Sequence, residues 1–227
     1  MNRLSWGLLL SVGSVCVPEC FAEQRSVTPD LARINDGKVW NVVNASYTTA
    51  MEDGKRVVRL APKGDADVGS IIGLALVEGL NFTEGTIDVD LKGKGGRQTS
   101  FVGVAFSVAD GNTFEAVYFR PFNFKRDDKA FRARAVQYVA WPENTWEKLR
   151  KVKPGVFESA VNPVPDPAGW FHARVDVTKK KVSVFVDDAK EPCLVVNRLA
   201  SRDSGKVGLW VDSRDGAFAN LKISPAR

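Results

Sequence analysis

From Asp36 to the carboxyl end the chain keeps one period. Short runs of β-branched or aromatic residues alternate with polar ones at every second position, and Gly, Asp, Asn and Pro separate the runs. A period of two sends successive side chains to opposite faces of an extended backbone, so a chain written this way buries its apolar set by stacking sheets. The runs are Val57 to Leu60, Thr86 to Leu91, Phe101 to Val108, Phe114 to Arg120, Arg132 to Val139, Trp170 to Val177, Val182 to Asp187, Val207 to Val211 and Phe218 to Ile223. Nine or more strands at this spacing predict an all-β domain of two packed sheets rather than a small barrel.

The stretch around Thr145 to Lys151 is short and followed by Pro154, and it reads as loop or a single turn. Asn162 to Pro167 reads as a rigid surface loop. Together they make Trp141 to Gly169 the longest insertion between strands, and long loops on a sandwich often carry binding. No linker or internal repeat interrupts the pattern. One domain is expected over 36–227, after a lead-in over 23–35.

The first 22 residues have another character. Arg3 supplies a positive start, Leu4 to Val17 is apolar but short for a bilayer span, and Cys20-Phe21-Ala22 puts small residues where a signal peptidase reads. Pro18 ends the apolar segment before that region. Residues 1–22 are therefore expected to be a cleavable signal peptide, and the protein to be exported to the periplasm or the exterior, with no membrane attachment after cleavage. Two of the three cysteines lie in this segment, so the mature chain would keep only Cys193 and no internal disulfide. Its stability must come from a packed core, which a chain of this length can supply.

Over the whole sequence 32 basic residues face 27 acidic ones, a net charge of +5. The surplus is dispersed, and its longest run, Lys179-Lys180-Lys181, reads as a solvated hairpin turn. Nucleic-acid binding calls for a basic face with interleaved aromatics, which is absent here. Adhesion to an acidic polysaccharide stays open, as does the oligomeric state.

Candidate site residues follow from strand alternation. In Trp170 to Val177, Phe171, Ala173, Val175 and Val177 form an apolar face. Trp170, His172, Arg174 and Asp176 form a polar one, where an indole could stack on a sugar ring beside charged groups that bond its hydroxyls. His172 is the only histidine, which excludes the usual zinc sites and makes it the one imidazole available as acid or base. In the aromatic stretch Phe114 to Phe124, Glu115 is either a ligand-facing carboxylate or the buried partner of an arginine, and Arg120 falls on the other face. Gln137 and Trp141 share a side of the next strand, and Trp141 opens the long loop. Asp88 and Asp90 bring two carboxylates to one face with the spacing of any solvated strand, and the paired acidic motif of a glycosidase, Glu-x-Asp-x-x-Glu, does not occur. Asp110-Gly111-Asn112 and Asp212 to Gly216 offer oxygens to calcium, although Asp-Gly is also ordinary turn chemistry. No other cofactor is expected.

Several segments carry a resemblance: Phe82 to Gly93, Ser100 to Phe106, Glu115 to Phe124, Ala135-Val136-Gln137-Tyr138, Trp170 to Arg174 and Phe218 to Ile223. Together they resemble concanavalin A-like jelly-roll proteins, in particular the secreted bacterial branch grouped with 3-keto-disaccharide hydrolase and laminin-G-like domains. The resemblance implies an antiparallel jelly-roll sandwich with a carbohydrate-facing sheet. Hydrolase-type members carry an Asn-Ser-Gly strand followed by arginine and a Tyr-Glu-x-Gln strand. The first is missing here, and the second survives as Phe114-Glu115-Ala116-Val117, so Glu115 alone transfers. The expected function is saccharide binding on a concave sheet through Gln137, Trp141, Trp170, His172 and Arg174, with Arg120 nearby. The alternatives are a glycoside hydrolase or lyase using Glu115 or His172 as acid or base, and a non-catalytic envelope interaction module.

Overall fold

A computed structural model describes residues 26–64, 71–94, 100–200 and 202–226. The expected signal peptide, with Cys16 and Cys20, lies outside these residues. The chain forms fourteen strands among the described residues: β1 (Trp40–Val43), β2 (Ala45–Glu52), β3 (Lys55–Pro62), β4 (Ile72–Val77), β5 (Gly85–Lys92), β6 (Phe101–Asp110), β7 (Thr113–Phe119), β8 (Val136–Trp141), β9 (Glu158–Ser159), β10 (Phe171–Val177), β11 (Lys181–Val186), β12 (Leu194–Asn197), β13 (Lys206–Asp212) and β14 (Gly216–Pro225). Two helices, α1 (Lys129–Arg132) and α2 (Trp146–Val152), flank β8. No helix among the described residues is long and apolar enough to cross a membrane.

The strands build two seven-stranded antiparallel sheets. The first runs β1-β4-β13-β6-β7-β8-β9 and the second β12-β11-β10-β5-β14-β3-β2. Two packed sheets are what the alternation anticipated, and the jelly-roll sandwich they form is what the resemblance implied. On β10 the apolar set Phe171, Ala173, Val175 and Val177 is buried, and the intervening residues are half-buried on the outer face. Phe171 crosses to the first sheet, where its ring meets Phe119 at 5.1 Å and Phe124 at 5.2 Å, both edge to face. That contact fixes the sense of β7: Glu115, Val117 and Phe119 point between the sheets, and Phe114, Ala116 and Tyr118 point outward. The lead-in is docked as well. Val27 pairs with Ile223 through two backbone bonds, and Leu31 and Ile34 are buried in the core.

Three expectations are corrected. The run at Arg132 to Val139 becomes a strand only at Val136, because Asp128 caps α1 through the Ala130 N–H and Arg132 belongs to that turn. Trp146 to Val152 is a helix of about two turns rather than a loop. Thr145 caps it, Glu147 sits in its first turn, and Arg150 and Lys151 sit in its last, each on the favourable end of the helix dipole. Finally β1, β2, β4, β9 and β12 were absent from the sequence reading. Of these, β4 is a continuous apolar run buried at five of its six positions, without the alternation that marks a one-sided strand.

Candidate functional site

Glu115 lies between the sheets with no solvent exposure. Both its oxygens accept from Arg198, whose Nη2 stands 2.5 Å from Oε1 and whose Nε is 3.2 Å from each oxygen, and Oε2 also accepts from Tyr138 Oη at 2.5 Å. Arg198 follows β12 of the second sheet, so this pair joins the sheets across the interior. The irregularity in β6 after Phe106 makes room for it: Ser107 turns to positive φ and its hydroxyl accepts a further bond from Arg198 Nη2. The arginine is held more firmly protonated than usual. Burial works against the charge, and the bonds and charge of Glu115 outweigh it. Both Glu115 oxygens are thus engaged by donors inside the protein.

On the outer face of the second sheet, His172 stands opposite Asp90 and beside Asp88. Nδ1 is 2.9 Å from Asp90 Oδ1 and Nε2 is 3.2 Å from Asp88 Oδ1. Two carboxylates on two ring nitrogens require both nitrogens to donate, which only the imidazolium does. The bonds to Asp88 and Asp90 accordingly raise the His172 pKa to about 9 against the effect of burial. Burial alone would raise Asp90, but bonds from His172, Lys55 and Asn220 bring it down to about 2. Asn220 reaches Asp90 because β14 bulges there and Asn220 takes a left-handed φ of 52°, which asparagine tolerates. His172 is therefore a cation at neutral pH, and Asp90 an anion.

This cluster predicts a pH-dependent stability. A histidine raised from 6.5 to about 9 contributes stability that is complete below pH 6.5 and lost as pH rises through 9; the lowered Asp90 contributes above pH 3.8 and loses it as pH falls toward 2. The imidazole is 39% exposed, so solvent screening holds the effect to about 1 kcal/mol. His172→Gln should lower the thermal midpoint at pH 6 and leave it nearly unchanged at pH 10. Equal losses at both pH values would contradict the clamp.

Arg174 sits over the Phe185 ring at 3.9 Å, and Trp170 packs on Val57, Ala217 and Ala219 beneath Lys55 and Lys92. These residues share the outer face of the second sheet with His172.

The outer face of the first sheet carries a different arrangement. Tyr118 stacks on Trp210 with ring centroids 4.6 Å apart. Arg120 lies against it, donating from Nη2 to Tyr118 Oη at 2.9 Å and Gln137 Oε1 at 2.6 Å, and from Nη1 to the Arg134 carbonyl at 2.9 Å. The Gln137 carbonyl oxygen is thereby spent on Arg120 and Tyr118, and its amide nitrogen and Trp210 Nε1 are buried donors without a partner among the described residues. Burial pushes the Tyr118 hydroxyl up to about 12, so it stays protonated. In front of this layer opens a cavity of about 400 Å³, walled by Phe101, Phe122, Phe131 and Trp146, by Arg120, Arg126, Arg134 and Arg150, and by the carboxylates of Glu147 and Asp212. Arg150 lies over the Trp146 ring at 4.8 Å and forms a two-pronged pair with Glu158. Trp146 and Arg150 meet because they stand four apart on α2, and Leu149, on an adjoining part of the helix, anchors α2 to the core.

The seven residues singled out in the sequence are thus not brought together. Glu115 is interior. Trp170, His172 and Arg174 lie outside the second sheet. Arg120 and Gln137 lie outside the first, with Trp141 about 13 Å further along β8, stacked on Phe114. The expectation of one pocket holding Gln137, Trp141, Trp170, His172 and Arg174 is corrected, because β8 and β10 belong to different sheets and turn these side chains to opposite sides of the sandwich. Of the residues that complete the cavity, Phe131 comes from α1, Trp146 and Arg150 from α2 and Arg126 from the segment before α1, and the Thr145 cap was the available signal for α2. In the two loops considered for calcium, Asp110 Oδ1 accepts the Asn112 N–H, and Asp212 Oδ1 accepts from Ile71 N and Ser213 Oγ. Among the described residues no group of three or more metal-type ligands is gathered.

No family model matches this chain, and no curated protein does. Solved structures do. The carbohydrate-binding module CBM66 from Bacillus subtilis superposes with a TM-score of 0.55 at 14% identity, over 82% of this chain and 96% of that one. The β-glucanase of Bacillus licheniformis gives 0.55 at 12%, over 91% and 100%. A Bacillus subtilis protein of unknown function with a galectin-like fold gives 0.54 at 12%, over 89% and 97%. The shared feature is the fold.

Proposed function

With the galectin-like, concanavalin A-like jelly roll as its frame, we propose that this protein acts outside the cytoplasm and binds a saccharide in the cavity on the outer face of its first sheet. The observation that carries the reading is the mixture in that one cavity: flat aromatic faces, Trp146 foremost, beside guanidinium donors held by a buried layer of Tyr118, Gln137 and Trp210. Sugars present both chemistries, C–H faces that stack on rings and hydroxyls that bond to fixed donors. The likeness to a carbohydrate-binding module supports the same reading.

Binding is favoured over hydrolysis or elimination because neither residue expected as acid or base faces the cavity. Glu115 is saturated by Arg198 and Tyr138, and His172 holds its proton between two carboxylates on the far side. A glycan array tests the proposal. The protein should retain a saccharide, and Trp146→Ala should weaken it about tenfold through loss of the stacking face. An array with no hit sinks the reading. Product formation abolished by Asp212→Asn or Glu147→Gln would replace it with an enzymatic one.

A further inference from the structure

The cavity is richer in cations than its own carboxylates can match. Four guanidiniums wall it against two lining carboxylates, Glu147 and Asp212, and Asp212 already accepts from Ile71 N and Ser213 Oγ, while Glu158 serves both Arg150, at 2.6 Å, and Arg134, at 3.9 Å. Arg120 is 94% buried, and its hydrogen-bond partners are a phenol, an amide oxygen and a backbone carbonyl, all neutral. The Phe101 and Tyr118 rings cover its remaining sides at 5.6 and 4.9 Å. Arg126 is half-buried, and among the described residues its guanidinium meets only the Phe131 ring, at 4.9 Å. Glu147 is exposed and pairs with none of the four.

A buried guanidinium with only neutral partners has lost its water without gaining a counterion, a costly arrangement unless something else supplies the negative charge. Burial lowers the affinity of Arg120 for its proton, as expected of an uncompensated cation, although an arginine stays charged throughout the neutral range. The fork of N–H groups on arginine matches the paired oxygens of an oxyanion better than a single hydroxyl.

Resting on the saccharide reading above, the geometry points to a ligand that is an acidic saccharide, one whose carboxylate or sulfate group is seated between Arg120 and Arg126 while a sugar ring lies against Trp146. Arg150, paired with Glu158, and Arg134, at the margin of that pair, hold the wall in shape, and Arg120 and Arg126 face the ligand's charge.

An array carrying neutral, uronate-containing and sulfated glycans at low salt tests this, and the two anionic groups on it distinguish carboxylate from sulfate. Hits should fall in one or both anionic groups, and affinity should drop as sodium chloride is added. Arg126→Gln and Arg120→Met should each weaken binding at least about tenfold, the effect of removing a charge-assisted hydrogen-bond pair. The apo thermal midpoint of Arg120→Met should equal or exceed that of the wild type, because the substitution removes a buried charge that has no counterion. Hits confined to neutral glycans, or anionic hits unaffected by Arg126→Gln, would overturn the acidic ligand while leaving the saccharide reading intact. No hit of any class would overturn both. An Arg120→Met protein that unfolds more easily assigns Arg120 to structure and counts against the proposal, and Arg126→Gln, at a half-buried position, then decides it alone.

Discussion

Replacing Glu115 by alanine is expected to destabilise the protein by about 3–5 kcal/mol, because it leaves the Arg198 guanidinium, 4% exposed, in the interior without its counterion. The Tyr138 hydroxyl loses its acceptor in the same step, and the Arg198 tie to β6 loses its anchor. The Tyr138 hydroxyl donates to Glu115 while accepting the Leu199 N–H, and Arg198 ties the segment after β12 to Ser107 in β6. The substitution thus unpins the two sheets at one point and leaves unsatisfied polar atoms in a dry environment. For a chain of this size the thermal midpoint should fall by about 10 °C. The double variant Glu115→Leu with Arg198→Met should recover most of the loss, since apolar residues of similar volume replace a buried ion pair at little or no cost. Thermal or urea unfolding of the three proteins checks this. A loss under about 1 kcal/mol for Glu115→Ala would mean that water enters and solvates the arginine, against the burial described.

Phe171→Ala is expected to cost a similar amount, about 3–5 kcal/mol, through loss of the transfer energy of a phenyl ring and the cavity left in its place. Its consequences should be uneven. Phe171 is the point where the second sheet touches both Phe119, at the end of β7, and Phe124, in the turn that follows Arg120. That turn carries Phe122 and Asn123 in the wall of the cavity. A truncated Phe171 should therefore loosen the seat of Arg120 and weaken ligand binding even at temperatures where the protein remains folded. Amide hydrogen exchange would read this as faster exchange over residues 120–126 with little change in β2 or β3. Uniform acceleration across both sheets would instead show that the sandwich responds as one unit.

How legible this was in the sequence depended on whether a strand has one wet face. β10 alternates faithfully because its outer face meets solvent, and its inward set of Phe171, Ala173, Val175 and Val177 could be read directly. β4 and β7 are buried on both faces, so period two vanished from the first and gave no sense of direction in the second. The bulge at Ser107 and the left-handed Asn220 each reset the pleat at a place where no glycine announced it. The site was harder still. Alternation says which residues of one strand share a face, but not which strands share a sheet. Trp170, just before β10, and His172 on β10 thus share an expected face with Gln137 on β8, although a hydrophobic core separates them. Arg120 and Gln137 were found because both carry polar groups at outward positions of adjacent strands. Trp146 and Arg150 were missed because their pairing needs a helical period of four inside a segment read as loop.

The placement of His172 also has a practical side. It is the single imidazole of the chain, and it sits across the sandwich from the cavity proposed to hold ligand. A proton spectrum therefore contains one histidine ring whose chemical shift reports the second sheet alone. In the folded protein it titrates near 9 and in the unfolded chain near 6.5. Held at pH 7.5 the ring is charged only while the sheet is intact, which makes it a native gauge of folding. The proposed ligand would bind the opposite face, away from the gauge, so occupancy and integrity could be followed separately in one sample.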